Sequence, residues 1–219
     1  MTRLISIFNG NIVLNKVHFR FHEWLKEYNL LYGFKNSLII PGVRQKKRVR
    51  LILESAWFSG FTDAEGGFYA SLTKNNKLKF LQPNSSDHYR LRMKFYITQK
   101  NELRFLKKVI FLIHEQYLNK TGASLQFNLL SKSKPKPFNE DRYISTFKSN
   151  INRLEISTEK YILIILDYFQ KYPLQGKKKI VFNRWKRIFY NKNLLKNKNL
   201  KSEKAFIRFQ KLVQAVQLK

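Results

Sequence analysis

The sequence contains no cysteine, which excludes disulfides, thiol nucleophiles and zinc sites built on thiolates. Acids are scarce as well: 14 Asp and Glu stand against 43 Lys and Arg, a formal net charge of +29. That imbalance exceeds what solubility needs and predicts a polyanionic partner, nucleic acid first. No apolar run approaches the roughly 20 residues of a spanning helix, and the basic residues are spread along the whole chain, so a membrane is not the expected polyanion. The opening MTRLISIFNGN has neither the arginine-rich amphipathic character of a transit peptide nor a secretory apolar core. What is abundant is Lys, Asn, Ile, Phe, Tyr and Leu, a bias that suits an AT-rich organellar genome and synthesis inside a mitochondrion or plastid. With 43% hydrophobic and 15% aromatic residues, the chain has ample material for a packed core.

Residues 54–68, ESAWFSGFTDAEGGF, organise the rest. As a helix, this stretch places Ala56, Gly60 and Ala64 at i, i+4 and i+8, a stripe of small residues against which a second helix can pack closely. Such a pair would carry Asp63 and Glu65 at its end. Gly66 and Gly67 stop the helix, and the residues after them alternate as in a strand. Residues 58–66, FSGFTDAEG, resemble the motif that names the LAGLIDADG homing endonucleases, matching its glycine, both acidic positions and its final glycine.

Taken in order, residues 3–8 read as a strand, Asn9, Gly10 and Asn11 as a turn, and Asn15 to about Leu31 as a helix bearing Val17, Phe21, Trp24, Leu25 and Tyr28. By resemblance, residues 1–40 are the remnant of a preceding repeat, 41–52 a basic linker (PGVRQKKRVR), and 53–219 a second repeat with extra C-terminal helices. After the motif helix, Phe68, Ala70 and Leu72 alternate with Tyr69, Ser71 and Thr73. A long hairpin loop follows over 74–88. Leu91, Met93, Phe95 and Ile97 then alternate with Arg90, Arg92, Lys94 and Tyr96, so cations stand in register on one face with no acid between them. Asn101 is placed to cap a helix with the stripe Leu103, Leu106, Ile110, Ile113 and Tyr117. Residues 123–130 alternate again with Gln126 and Asn128 on the polar side, 131–141 form a loop, and 152–157 a further strand. Ser157 or Thr158 caps a helix bearing Ile162, Ile165, Leu166 and Phe169. A helix with Ile180, Val181, Trp185, Ile188 and Phe189 and a last one capped by Ser202 read as packing elements. The order from the motif is αββαββα, an α+β fold with a four-stranded antiparallel sheet and helices on one side. The resemblance adds a saddle-like sheet whose open face lies against nucleic acid. The residues expected there are Tyr69, Ser71, Thr73 and Lys74, then Lys77 and Lys79, then Arg90, Arg92, Lys94 and Tyr96, and finally Gln126, Asn128, Lys132 and Lys134.

The resemblance also implies a chemistry. The second acidic position of the motif, Glu65, binds Mg²⁺ together with the carbonyl of Ala64, while Asp63 supports the helix end. This chain carries Glu where the eponymous motif has Asp, and Glu can also coordinate. Gln99 matches a polar residue that orients solvent, and Lys178, with Lys177 close behind, matches a lysine that polarises the water network. One motif supplies one acid, and the remaining paired acids, Glu140 and Asp141, sit in a Pro and Lys loop. The helix therefore pairs with a homodimer mate or with a separate first-repeat chain, or the protein does not cut. Two readings stay open: a Mg²⁺-dependent, site-specific DNA endonuclease of intron-homing type, or a non-catalytic binder of structured RNA such as an intron maturase or a protein recruited to ribosomal RNA.

Overall fold

The computed structural model describes residues 3, 5, 8, 12, 14–32, 53–74, 89–122, 138–192 and 203–217. They fall into two compact units, Met1–Ile52 and Leu53–Lys219. In the first, Arg3, Ile5 and Phe8 are helical, where the alternation of 3–8 had suggested a strand. Helix α1 (Asn15–Tyr32) carries a ladder of rings, Phe21 on Trp24, Trp24 on Tyr28 and Tyr28 on Tyr32, at the three- and four-residue spacing that makes helix neighbours. Leu25 is buried, while Trp24 on the same expected stripe is exposed.

The second unit begins with helix α2 (Trp57–Glu65), which runs directly into strand β1 (Gly66–Lys74). Strand β2 (Tyr89–Lys100) and helix α3 (Leu103–Thr121) follow, then β3 (Ile144–Phe147), β4 (Ile151–Ile156), α4 (Glu159–Lys171), α5 (Lys178–Asn191) and α6 (Glu203–Gln217). The four strands form one antiparallel sheet in the order β1-β2-β4-β3. The expected α+β architecture and sheet are present.

Three local expectations are corrected. The strand preceding β4 is Ile144–Phe147, a segment with too short an alternation to be recognised, closed against β4 through Ser149 and Asn150 at positive φ. Asn101 does not cap α3. Its own φ is 61°, its amide donates to the Asn150 carbonyl at 2.9 Å, and the N-cap is Glu102. Leu103 and Ile180 are exposed, because their helices bury Phe105 and Phe182 instead. Thr158 does occupy the N-cap of α4, although its side chain makes no capping bond. The linker at 41–50, the loop carrying Lys77 and Lys79, the segment with Gln126 and Asn128, Lys132 and Lys134, and Ser202 lie outside the described residues.

Period-two alternation puts Phe68, Ala70, Met93, Phe95, Ile97, Leu154 and Ile156 on one face, all buried under the helices. Phe58 of α2 joins that core. Its ring stacks on Phe169 at 5.9 Å and meets Tyr168 edge-on at 5.3 Å and Phe95 at 5.9 Å. The helix is held at its start too, since the Tyr168 hydroxyl donates to the Ser55 carbonyl at 2.6 Å, Tyr172 donates to the Glu54 carbonyl, and Ser59 donates to that of Tyr172. On the outer side of the sheet, β1 is an edge strand whose free carbonyls would invite another strand. Trp185 of α5 donates to the Tyr69 carbonyl at 3.0 Å and Gln217 of α6 to that of Ala70 at 2.7 Å, which closes that edge.

Candidate active site and nucleic-acid face

Helix α2 ends where the acids are, and sterics require it. A Cβ at Gly66 would lie 2.7 Å from Thr62 Cγ2 and 3.2 Å from the Thr62 backbone, and one at Gly67 would lie 2.4 Å from the Tyr96 ring. Gly66 itself is extended, at φ −86° and ψ 171°, so close approach rather than a left-handed turn demands glycine here. The direct passage from helix to strand leaves Glu65 exposed at the helix end.

Phe58, Ser59 and Thr62 take the buried side of α2, which turns Ala56, Gly60 and Ala64 to the opposite, exposed side. A Cβ at Gly60 would meet nothing within 4 Å. Among the described residues of this unit the stripe read from the sequence is uncovered.

Asp63 has a different surrounding from Glu65. Its Oδ2 accepts the Gln175 amide at 2.8 Å, and its Oδ1 is buried without a hydrogen-bond partner among the described residues. It therefore ties the loop after α4 to the helix end. That loop leads into α5, where Lys178 Nζ donates to the carbonyls of Thr62 and Ala64, each at 3.0 Å. A cation is unfavourable at the N-terminus of α5, but this ammonium reaches the C-terminus of α2, where the dipole and the unsatisfied carbonyls favour it. Burial pushes the Lys178 ammonium below the usual lysine range, and Asp63 and Glu65 pull it partly back. Lys177, the alternative match, is exposed.

Gln99 lies at the same level. Gly66 pairs with Ile97, so Gln99, two residues further along β2, stands beyond the start of β1 and abreast of the last turn of α2. It is 2% exposed, and neither its amide nitrogen nor its oxygen has a partner among the described residues. Its cross-strand neighbour Asn152 is buried but satisfied, accepting from Thr146 Oγ1 at 2.9 Å and donating to the Asn150 carbonyl at 3.1 Å. A buried amide left without hydrogen bonds costs about 1–3 kcal/mol, which sets Gln99 apart from Asn152.

The donors at the helix end are hard oxygens, the Glu65 carboxylate and the Ala64 carbonyl, which suits a cation of the magnesium type. Among the described residues no group of three or more His, Asp and Glu gathers to hold a metal.

The open face of the sheet pairs Tyr69 with Lys94, Ser71, itself buried, with Arg92, and Thr73 with Arg90, whereas Lys74, expected there too, pairs with Tyr89 and has the parity of the helix side, where the Tyr89 ring meets Phe206 of α6. Tyr96 stands on it as well. One expectation fails here, since an acid does interrupt the face. Glu155, opposite Tyr96 on β4, accepts from Lys94 at 2.6 Å and lies 4.0 Å from Arg153. Arg153 itself was missed. Its Nε donates to Thr98 Oγ1 at 2.9 Å, and its guanidinium lies 5.2 Å from the Tyr96 ring and 5.7 Å from that of Phe147. The alternation of Asn152, Leu154 and Ile156 with Arg153 and Glu155 carried the signal for both charges.

A family model described as LAGLIDADG endonuclease matches residues 138–189, a span that contains Lys178 and lies downstream of the motif helix. "Probable intron-encoded endonuclease 4" of Neurospora crassa is 30% identical over 191 residues, covering 86% of this chain and 27% of that protein. "Probable intron-encoded endonuclease aI3" of Kluyveromyces lactis is 30% identical over 134 residues, 61% of this chain and 23% of that protein. The chain thus spans about a quarter of the length of these curated relatives. Among solved structures, a variant of I-SmaMI superposes with a TM-score of 0.50 at 16% identity, over 89% of this chain and 53% of that one. The same protein, solved with an uncleaved DNA target in the presence of calcium ions, gives a TM-score of 0.47 at 16% identity over the same shares.

Proposed function

The chain belongs to the LAGLIDADG endonuclease family, and from that premise we propose that it is a site-specific DNA endonuclease of the intron-homing type that hydrolyses phosphodiester bonds with Mg²⁺. The observation that carries this reading is the end of α2. Glu65 stands exposed there beside the Ala64 carbonyl, Lys178 reaches the same turn, and the buried amide of Gln99, two residues past the partner of Gly66 on β2, has no hydrogen-bond partner among the described residues.

Endonucleases of this family generally depend on a divalent metal. Glu65 and the Ala64 carbonyl would hold it here, and when bound it supplies Lewis-acid polarisation of the phosphate and an activated water. Lys178 places positive charge where the phosphate oxygens gain negative charge, and Gln99 offers one donor and one acceptor to order solvent. Asp63 keeps the loop before Lys178 against the helix end. Because one chain carries one such acid, cleavage of both strands calls for a second α2. It comes from a second copy or a separate first-repeat chain packed on Ala56, Gly60 and Ala64. Gly60→Leu tests this, since the position is open to solvent and the folded monomer tolerates it. The parent is expected to run as a dimer by size-exclusion mass and to cut both strands with Mg²⁺, and the variant to run as a monomer and lose double-strand cleavage. A monomeric parent that cuts both strands would refute the pairing.

The open sheet face reads duplex DNA in the major groove. Its two central cations should behave differently. Arg92→Ala is expected to remove up to about one unit from the slope of log affinity against log salt, and Lys94→Ala less, because Glu155 already neutralises Lys94. Equal slopes for both variants and the parent would remove this face from the interface.

A second reading has one observation in its favour. The Lys178 ammonium already occupies the Ala64 carbonyl, one of the two donors offered to the metal. On that reading the chain binds structured RNA without cutting, and purified parent with Mg²⁺ would bind RNA tightly and leave every duplex intact. An organelle-encoded origin, most simply mitochondrial, fits both readings, since the relatives are named as intron-encoded.

A further inference from the structure

The sheet face does not account for the charge of this chain. From residue 176 to 219 the sequence contains one acid, Glu203, while Lys and Arg recur throughout. Helices α5 and α6 bury their apolar sides, Phe182, Trp185, Ile188 and Phe189 on one and Phe209, Val213 and Val216 on the other. Opposite those sides, Lys204, Arg208 and Lys211 form an exposed stripe on α6 at i, i+4 and i+7, and Lys179, Asn183, Arg187 and Tyr190 form one on α5. Lys107 and Lys120 of α3 pair with Asp141 and Asp167, and Lys192 at the C-cap of α5 pairs with Glu159, whereas none of the ion pairs among the described residues involves the two stripes.

Like charges at i, i+4 and i, i+3 destabilise a helix slightly, and Lys179 sits in the first turn of α5, where the dipole opposes it. Packing on the core explains the apolar sides and not these cations. Seven residues at 1.5 Å rise put Lys204 and Lys211 about 10 Å apart, the span of about three successive phosphates of one strand. The stripe also has a defined place. The Tyr89 ring meets Phe206 at 4.9 Å and Gln217 bonds to Ala70, so α6 runs along the edge strand, with its first turns at the Lys74 end of β1. That end is one strand length, about 27 Å, from Gly66 and the acids.

We infer that α5 and α6 form a second phosphate-binding surface, which extends the nucleic-acid interface past the β1 edge and grips the backbone away from the reacting centre. This rests on the reading of the chain as a nucleic-acid binder. The occupant is the phosphodiester backbone of the duplex that flanks the bound DNA site, and a structured RNA is an alternative outcome of the test.

The test is the salt dependence of binding by the full chain, on a duplex DNA and on a folded RNA of equal length. A variant with Lys204→Gln, Arg208→Gln and Lys211→Gln is compared with the parent, with Arg92→Ala, and with the charge-preserving Lys204→Arg, Arg208→Lys, Lys211→Arg. The neutral variant should lose about two to three units of slope on the polyanion that uses the surface, at about 0.9 per contact on duplex DNA, with the charge-preserving variant unchanged. Loss on DNA supports the flank of the site as the occupant, and loss confined to RNA would overturn it in favour of a structured transcript. Parent-like slopes on both, while Arg92→Ala retains its own loss, would overturn the second surface and leave the sheet reading standing. Parent-like slopes for the neutral triple variant and Arg92→Ala alike would remove both surfaces from the interface, and a parent that binds neither polyanion would overturn the nucleic-acid reading itself.

Discussion

Glu65→Gln is expected to abolish Mg²⁺-dependent cleavage, with a loss of about a thousandfold or more, and to leave nucleic-acid affinity measured in chelator unchanged. The size of the effect follows from what is removed. Metal stabilisation of a phosphoryl transition state is worth several kcal/mol, and each 1.36 kcal/mol is a factor of ten in rate. An amide of the same shape keeps an oxygen in place but gives up the charge that holds the cation, and Asp63, the other acid at this helix end, is engaged by the Gln175 amide. Folding should suffer little, because Glu65 is exposed. Asp63→Asn offers the contrast. Asp63 accepts the Gln175 amide and faces the loop leading to Lys178, so its loss acts through the position of that loop. Activity retained in Glu65→Gln would dismiss the catalytic reading. Loss of binding together with cleavage would instead show that Glu65 is structural.

Phe58→Ala should carry the largest cost to stability, about 3–5 kcal/mol, read as a fall in melting temperature of roughly 6–20 °C for a domain of this size. The ring is 1% exposed and sits between α4 and the sheet, against Phe95, Tyr168 and Phe169. Those neighbours belong to separate elements, so they cannot collapse together into the space left behind. Phe61, one turn of helix away and half-buried against Phe105, is the internal comparison and should cost clearly less when truncated. The same substitution has a functional side. Phe58 seats the helix that ends at Glu65, and cleavage should fall at temperatures where Phe58→Ala is still folded. Equal melting temperatures for the two variants would mean that α2 is not anchored through Phe58.

Much of this was legible in the chain because it is local. The α2 helix, its small-residue stripe and its glycine stop are written in adjacent residues, as is the alternation of β1 and β2. These periodicities follow from 3.6 and 2 residues per repeat, whatever the rest of the chain does. Strand β3 escaped notice because four residues hold too little alternation to separate strand from loop, and it exists only because β4 offers it a ladder. Asn101 showed a capping residue in the right place, but its backbone was drawn into the left-handed region by the bond to Asn150, whose position no local pattern encodes.

By itself, then, the sequence determined the motif helix, the sense of its exposed stripe, the basic edge of β2 and a polyanionic partner, since composition and short-range spacing suffice for each. Only the tertiary structure decided which acid meets which cation. It put Glu155 beside Lys94 and Arg153 between Tyr96 and Phe147, and it brought Lys178 rather than Lys177 to the carbonyls of α2. Those contacts join residues far apart in the chain, and strand register and helix packing, not the identity of neighbours in sequence, bring them together.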